Sequence, residues 1–299
     1  MTTTADTPRT AGSAPLRFVT AASLFDGHDA AINVMRRLIQ AQGTEVVHLG
    51  HNRSVDDVVR AAIQEDADAI AMSSYQGGHV EYLNYMLELL KRYNAEHIQV
   101  FAGGGGTITL EEIADLEAAG VNRIYHPTHG MQMGLEGMIV DLVERAADRQ
   151  VATALPEVVS IDDEIAIAQT ISAIEEGAIA GEQLAALKQQ WQQAAGQTPV
   201  IGITGTGGAG KSSSVDELLN RFLQHRPEMR IAVLAVDPTR RRTGGALLGD
   251  RIRMNTLSAK NIYMRSMATR RQHLATSEML GDVTLFLKSL GYDLVVVET

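Results

Sequence analysis

The sequence predicts an α/β chain in three stretches: a doubly wound parallel sheet, a helical connection, and a P-loop domain that is incomplete in this chain. Three observations carry that expectation. Short β-type runs alternate with amphipathic helical runs about every 25–30 residues through the first half. The alternation stops over 150–197, where Ala, Gln, Glu and Ile dominate. It restarts at Val200, and the first turn after the restart carries a complete G-x-x-x-x-G-K-S/T pattern.

The elements follow in order. Met1 to Pro15 is rich in Thr, Ala and Pro and reads as a disordered tail, 1–15. The first domain is expected over 16–149. Its strands are Leu16–Thr20, Glu45–Leu49, Ala69–Met72, Gln99–Ala102 and Arg123–Tyr125. Its helices are Ala30–Gln42, Ser54–Glu65, His79–Asn94, one opening at Thr109, and Met131–Arg149. Ser54 with Asp57, and Thr109 with Glu112, have capping spacing. Right-handed crossovers put helices on both faces, and ligands on such sheets bind beyond the carboxyl ends of the strands. A helical linker is expected over 150–197, starting near Ser160 and Asp163 and broken in two at Gly181. Ile161, Ile165, Ala168 and Ile171 recur at helical spacing and could also form a docking surface. The second domain, 198–299, has strands Val200–Ile203, Ile231–Val236, Ile262–Met264 and Leu294–Val297, with helices Lys211–His225 and His273–Leu290. A sheet carrying this motif normally has more strands, so the chain is expected to be part of a longer one.

Composition narrows the function classes. Hydrophobic residues make up 45% of the 299, enough for two cores. No apolar run is long enough to span a bilayer, and no signal-peptide core is present, which leads to a cytoplasmic expectation with no membrane partner. The absence of cysteine excludes disulfides and thiolate metal sites. A formal net charge of −10 argues against a nucleic-acid partner.

The phosphate motif is Gly205-Thr206-Gly207-Gly208-Ala209-Gly210-Lys211-Ser212, followed by Ser213, between a strand and a helix. Its glycines let backbone N–H groups converge on phosphate oxygens, and the helix N-terminus adds positive charge. Lys211 is placed to reach the β- and γ-phosphates as the catalytic lysine, and Ser212 to bind magnesium. Asp237 and Glu298 each follow a strand at this edge. Either could hold magnesium, directly or through water, and either could equally be a helix cap or a solvated acid. Arg240-Arg241-Arg242 reads as a solvated loop, with phosphate or partner contacts as the alternative.

In the first domain Asp26-Gly27-His28-Asp29 follows the first strand at the binding edge. A lone D-x-H is most often a satisfied loop histidine, and no His/Asp/Glu set with zinc spacing accompanies it. One histidine suffices only for a metal whose other positions a macrocycle already fills, such as the cobalt of a corrin; Asp26 would then orient His28. Ser73-Ser74-Tyr75 ends the third strand, and Gly103-Gly104 ends the fourth, where missing side chains leave room for a bulky group.

Those elements together resemble the cobalamin-binding domain of adenosylcobalamin-dependent mutases, with its D-x-H-x-x-G loop, S-x-L and G-G in this order on a flavodoxin-like sheet. The resemblance implies that His28 ligates cobalt in place of the cofactor's own base, and that Ser73, Gly103 and Gly104 line the pocket for that displaced base. Ala31 stands where the pattern has glycine, and Tyr75 where it has leucine. Val236-Asp237-Pro238-Thr239, Thr243-Gly244-Gly245, Leu248-Gly249-Asp250-Arg251 and Val297-Glu298-Thr299 are similar to the GTPases that chaperone cobalamin-dependent mutases. That likeness implies GTP and GDP as the nucleotides and makes Asp237, Asp250 and Glu298 acids of the magnesium site.

The domain order resembles the family of fused isobutyryl-CoA mutases, from about Leu16 to Thr299. It implies an isomerase with GTPase activity, interconverting isobutyryl-CoA and n-butyryl-CoA by adenosylcobalamin radical chemistry. GTP hydrolysis would gate cofactor loading. It also implies an acyl-CoA substrate held by a barrel domain not in this chain, a homodimer, and a cobalamin adenosyltransferase as cofactor donor. Two other readings remain open: a stand-alone cobalamin carrier and GTPase chaperone serving a separate mutase, and a cobalamin-dependent sensor.

Overall fold

A computed structural model of the chain describes residues 14–148, 155–237, 245–249, 251–269 and 273–299. The tail expected over 1–15 lies outside the described residues save for Ala14 and Pro15. Arg240, Arg241, Arg242 and Asp250 lie outside them as well.

The first unit runs β1 (Arg17–Ser23), α1 (Asp29–Ala41), β2 (Glu45–Arg53), α2 (Val55–Gln64), β3 (Ala69–Ser74), α3 (His79–Arg92), β4 (Gln99–Gly104), α4 (Leu110–Ala119), β5 (Arg123–Tyr125) and α5 (Pro127–Asp148). The strands pair in parallel in the order β5-β4-β3-β1-β2. This is the flavodoxin-like order, and its reversal falls between β1 and β3. Alternate residues serve opposite faces. Val19, Ile70 and Val100 enter one core, and Phe18, Ala71 and Phe101 the other. The predicted caps form: Ser54 accepts from the Asp57 N–H at 3.1 Å, and Thr109 and Glu112 close a full capping box. The helix expected from Met131 begins earlier, at Pro127, and breaks at Gly134 (φ 70°, ψ 168°). Proline suits a first helical position because its missing N–H is unneeded there.

The second unit comprises α6 (Glu164–Glu176), α7 (Gly181–Ala194), β6 (Val200–Ile203), α8 (Lys211–His225), β7 (Ile231–Asp237), β8 (Ala246–Leu248), β9 (Ile262–Ala268), α9 (His273–Ser289) and β10 (Leu294–Glu298). Its parallel sheet has the order β6-β10-β7-β9. The break expected at Gly181 occurs instead at Gly177, which ends α6 in a left-handed conformation (φ 66°), while Gly181 opens α7. A left-handed terminal residue is the stronger helix stop. Ile165 packs on the first unit's core, whereas Ile161 and Ile171 pack on the second's with Trp191 and Phe286. Three of the four residues at that spacing, Ile161, Ile165 and Ile171, thus pack on the cores of the two units.

β8 does not join the second sheet. Ala246–Leu248 pairs in parallel with Glu45–Val47 and extends the first sheet by an edge strand. Nothing in the sequence reading anticipated it, because a three-residue strand has no periodicity of its own. Gly245 leads in beneath the β2 edge, where a Cβ would lie 2.3 Å from the Gln40 carbonyl oxygen. A buried ionic cluster joins the units behind this strand. Arg17 pairs with Glu45 at 2.7 Å and Glu175 at 3.4 Å, Arg251 pairs with Glu65 at 2.6 Å, and Arg265 pairs with Glu175. Burial opposes the Arg17 charge, but Glu175, Glu45 and Glu65 override it and raise its pKa. Such pairs are costly to break singly, because the partner left behind is buried and charged.

Candidate functional site

Two sites form, one at the carboxyl edge of each sheet. In the first, the chain leaves β1 through Leu24 and Phe25 and turns so that Asp26 is buried and His28 exposed. Asp26 Oδ1 accepts from the His28 backbone N–H at 2.9 Å and faces its ring Nδ1 at 2.8 Å. Asp26 Oδ2 accepts from the Tyr75 N–H at 2.6 Å. One carboxylate thus ties the loop after β1 to the loop after β3, across the point where strand order reverses. Burial disfavours its charge, but the N–H groups of His28 and Tyr75 and the imidazole outweigh that and hold its pKa below the ordinary value. A proton on Nδ1, shared with Asp26, leaves Nε2 as the nitrogen that can ligate a metal. The His28 side chain is 59% exposed, so that nitrogen is open to a large ligand.

Beside His28 lies an apolar cavity of about 230 Å³, lined by Ala31, Met35, Ile39, Phe101, Ile139 and Leu142 among others, with Ser73 and Gly103 at its strand ends. The Ser73 hydroxyl is buried without a hydrogen-bond partner among the described residues. An unpartnered hydroxyl in a largely apolar chamber suits a bicyclic aromatic base with few acceptors. The donor set therefore fits a corrinoid: one imidazole for the metal, and a chamber for the tail. The two glycines act differently. A Cβ on Gly103 would meet nothing nearer than 3.6 Å, whereas one on Gly104 would lie 1.9 Å from the Ser74 carbonyl oxygen. Gly103 keeps the chamber open; Gly104 lets β3 and β4 approach. Both departures from the motif fall on the chamber wall. Ala31 lines it, and the Tyr75 ring lies 5.4 Å from the His28 ring and against Gly105, where a Cβ would be 2.9 Å from Tyr75 Cδ1. Met35, Ile39 and Phe101 were legible only as core residues, since an apolar face looks the same whether it meets a helix or a ligand.

In the second site Gly208 and Gly210 take left-handed conformations (φ 81° and 82°), which bend the loop between β6 and α8. Gly205, Gly207, Ala209 and the rest of the loop are exposed, with the Ala209 N–H donating to the Thr206 carbonyl at 3.2 Å. Lys211 Nζ donates to the Thr206 carbonyl at 3.4 Å, folding the lysine over its own loop. Ser212 is buried on the first turn of α8 and donates to Glu298 Oε1 at 2.8 Å, while Ser213 is exposed. Asp237 ends the strand beside β10, two positions past the residue paired with Glu298. Ser212, Glu298 and Asp237 thus share one edge with the loop, a donor set of hard oxygens suited to magnesium. Among the described residues no helix is long and apolar enough to cross a membrane.

Comparison with known proteins matches each unit to a family. Residues 16–128 match the B12 binding domain family, and 167–299 match the family of the Methylmalonyl Co-A mutase-associated GTPase MeaB. A fused isobutyryl-CoA mutase from Cupriavidus metallidurans is 54% identical over 100% of this chain and 28% of its own length. The protein of that name from Geobacillus kaustophilus is 49% identical over 95% of this chain and 27% of its own. GTPase ArgK of Escherichia coli is 38% identical over 35% of this chain and 31% of its own. The chain thus spans about a quarter of the length of the fused relatives, 28% and 27%. With residues 16–128 matching a B12 binding domain and 167–299 a MeaB-type GTPase, the chain is similar to the fused isobutyryl-CoA mutases along 95–100% of its own length.

Proposed function

We propose that this chain binds adenosylcobalamin through His28 and the chamber beside it, binds GTP or GDP with magnesium on the P-loop, and uses nucleotide state to gate cofactor loading for the isomerisation of an acyl-CoA. The observation that carries the reading is the Asp26–His28 pair at the mouth of a largely apolar chamber in which the Ser73 hydroxyl is buried without a partner among the described residues. Asp26 keeps the proton on Nδ1 and the lone pair on Nε2. Ser73 donates to the tail base, and the apolar wall excludes water from it. Adenosylcobalamin, when bound, supplies a cobalt–carbon bond whose homolysis starts hydrogen abstraction from the acyl-CoA. On the other edge the loop N–H groups and Lys211 bind the phosphates, and Ser212, Glu298 and Asp237 hold magnesium, with Asp250 joining them by family likeness.

The names of the fused relatives support isobutyryl-CoA and n-butyryl-CoA as the pair interconverted. The acyl-CoA site, the homodimer and delivery by an adenosyltransferase belong to the same proposal and lie with partners or segments outside this chain. The test is a titration of the chain with adenosylcobalamin, followed by visible absorption. Displacement of the tail base by His28 changes the spectrum, and His28→Ala is expected to abolish that change while nucleotide binding persists. Loss of both together would show that His28 is structural.

A further inference from the structure

The loop that carries His28 is pinned from a neighbouring strand. The Phe25 N–H donates to Asn52 Oδ1 at 2.9 Å. Both residues have left-handed backbones, φ 65° and 55°, a conformation that a side chain other than glycine adopts at a cost. Asn52 lies in a distorted end of β2. Its pairing with β1 slips between Thr20 and Ala21 and again between Ala21 and Ser23, and Gly50 has φ 85°. Irregularities of this kind re-aim side chains beside binding sites.

The distorted end is held from the nucleotide-binding unit. After Ala246–Leu248 has paired along Glu45–Val47, Arg251 donates to Glu65 Oε1 at 2.6 Å, to Gln64 Oε1 at 2.8 Å and to the Met264 carbonyl at 2.6 Å. The next residue, Ile252, sits on Gly50: a Cβ built there would lie 2.6 Å from Ile252 Cδ1. Gly50 has φ 85°, so a side chain there would be strained and would crowd Ile252. Among the described residues, β7 ends at Asp237 on the phosphate edge, Ala246–Leu248 lies along β2, and Ile252 meets Gly50, two residues before Asn52.

We propose that Asn52 is a positioning residue for the His28 loop, held through Ile252 seated on Gly50, so that nucleotide and cobalamin binding are coupled across this contact. The inference rests on the cobalamin and nucleotide reading above and specifies how one site regulates the other. The described links are the Phe25–Asn52 hydrogen bond, the Ile252 contact with Gly50, and the Arg251 bond to Met264 of β9, which pairs with β7, the strand ending at Asp237. Linkage makes the coupling reciprocal: the factor by which nucleotide changes cobalamin affinity equals the factor by which cobalamin changes nucleotide affinity.

The experiment measures the dissociation constant of adenosylcobalamin for the full 299-residue chain, with and without a non-hydrolysable GTP analogue and magnesium. A nucleotide effect of about 5-fold or more is expected. Ile252→Ala is expected to remove that effect while leaving nucleotide affinity in the absence of cobalamin unchanged. Ile252→Val, which shortens the side chain by the Cδ1 methyl alone, is expected to reduce it and serves if the alanine variant does not fold. Asn52→Gly relieves the backbone but loses the acceptor. It is expected to weaken cobalamin binding about 10-fold and to leave a fraction of bound cofactor with its own base still coordinated, whereas Asn52→Asp restores both. A chain that binds no adenosylcobalamin sinks the cobalamin reading and this inference with it. Cobalamin affinity that ignores nucleotide, or an Ile252 variant that keeps the full effect, overturns the inference alone.

Discussion

Ser212 on the first turn of α8 donates to Glu298 at the end of β10 across 2.8 Å, although 86 residues separate them in the chain. The bond joins the phosphate-binding loop to the acid at the end of a neighbouring strand, and it supports the proposal that Glu298 belongs with Ser212 at the metal site. Ser212→Ala removes both the proposed magnesium ligand and this buried donor. Nucleotide affinity measured in magnesium is expected to fall by 10-fold or more, on the order of 1.4 kcal/mol, with adenosylcobalamin affinity in the absence of nucleotide unchanged. Equal loss in magnesium and in EDTA would show that the serine does not serve the metal. Lys211→Ala is expected to abolish GTP hydrolysis outright.

Asp26→Asn keeps an acceptor for the His28 loop but turns an amide donor or a neutral oxygen toward groups that now meet a carboxylate. Metal affinity set by an orienting carboxylate typically changes about 10–100-fold, and a loss of that size in cobalamin binding is expected by absorption titration. The circular dichroism of the apoprotein should stay as it is.

Gly103→Ala and Gly104→Ala separate the roles of adjacent glycines. The first places a methyl in ordinary contact, 3.6 Å from the Tyr125 carbonyl, on the chamber wall; the second drives one to 1.9 Å from the Ser74 carbonyl. Gly104→Ala is expected to destabilise the fold by about 1–3 kcal/mol in urea. Gly103→Ala should weaken cobalamin binding at nearly unchanged stability. Ser73→Ala, which removes the unpartnered hydroxyl, should leave the apoprotein as stable or more so.

His48 on β2 gives a pH dependence. Burial, followed by the Arg36 charge, lowers its pKa from 6.5 to about 4, and its Nδ1 meets the Thr20 hydroxyl at 2.9 Å. Between those values the unfolded chain binds the proton more readily, so stability falls as pH drops from about 6.5 toward 4. The loss is on the order of 2–3 kcal/mol. Asp26, whose pKa is also lowered, adds its own loss only as pH falls past its ordinary 3.8. Urea midpoints at several pH values test this, and His48→Gln should flatten the slope in the upper window.

Glu65→Gln leaves Arg251 buried with half its ionic partner gone, and the Ser266 N–H and hydroxyl bonded to a weaker acceptor. Breaking one side of a buried pair costs about 3–5 kcal/mol, so a large fall in the unfolding midpoint is expected. Because the carboxylate sits between the units, both should lose stability in a single transition.

By itself the sequence determined the parts whose cause is local. The P-loop needs its glycines, lysine and serine adjacent, so the motif is visible as text. The D-x-H loop likewise sets His28 against Asp26 by a spacing of two. The alternating strand and helix periods announced the parallel sheets, because parallel strands require crossovers long enough to hold a helix. The tertiary structure decided what depends on distant approach. Ala246–Leu248 carries no strand signal of its own and became an edge of the first sheet because Gly245 could slide beneath β2. Nothing in the local pattern around Glu65, Glu175 and Arg265 marks them for burial, and the meeting of the two units across α6 desolvated them, with Arg251, into pairs. Tyr75 departs from the family motif, and its place over His28 came from one backbone N–H reaching Asp26 across 49 residues, a contact that residue spacing cannot encode.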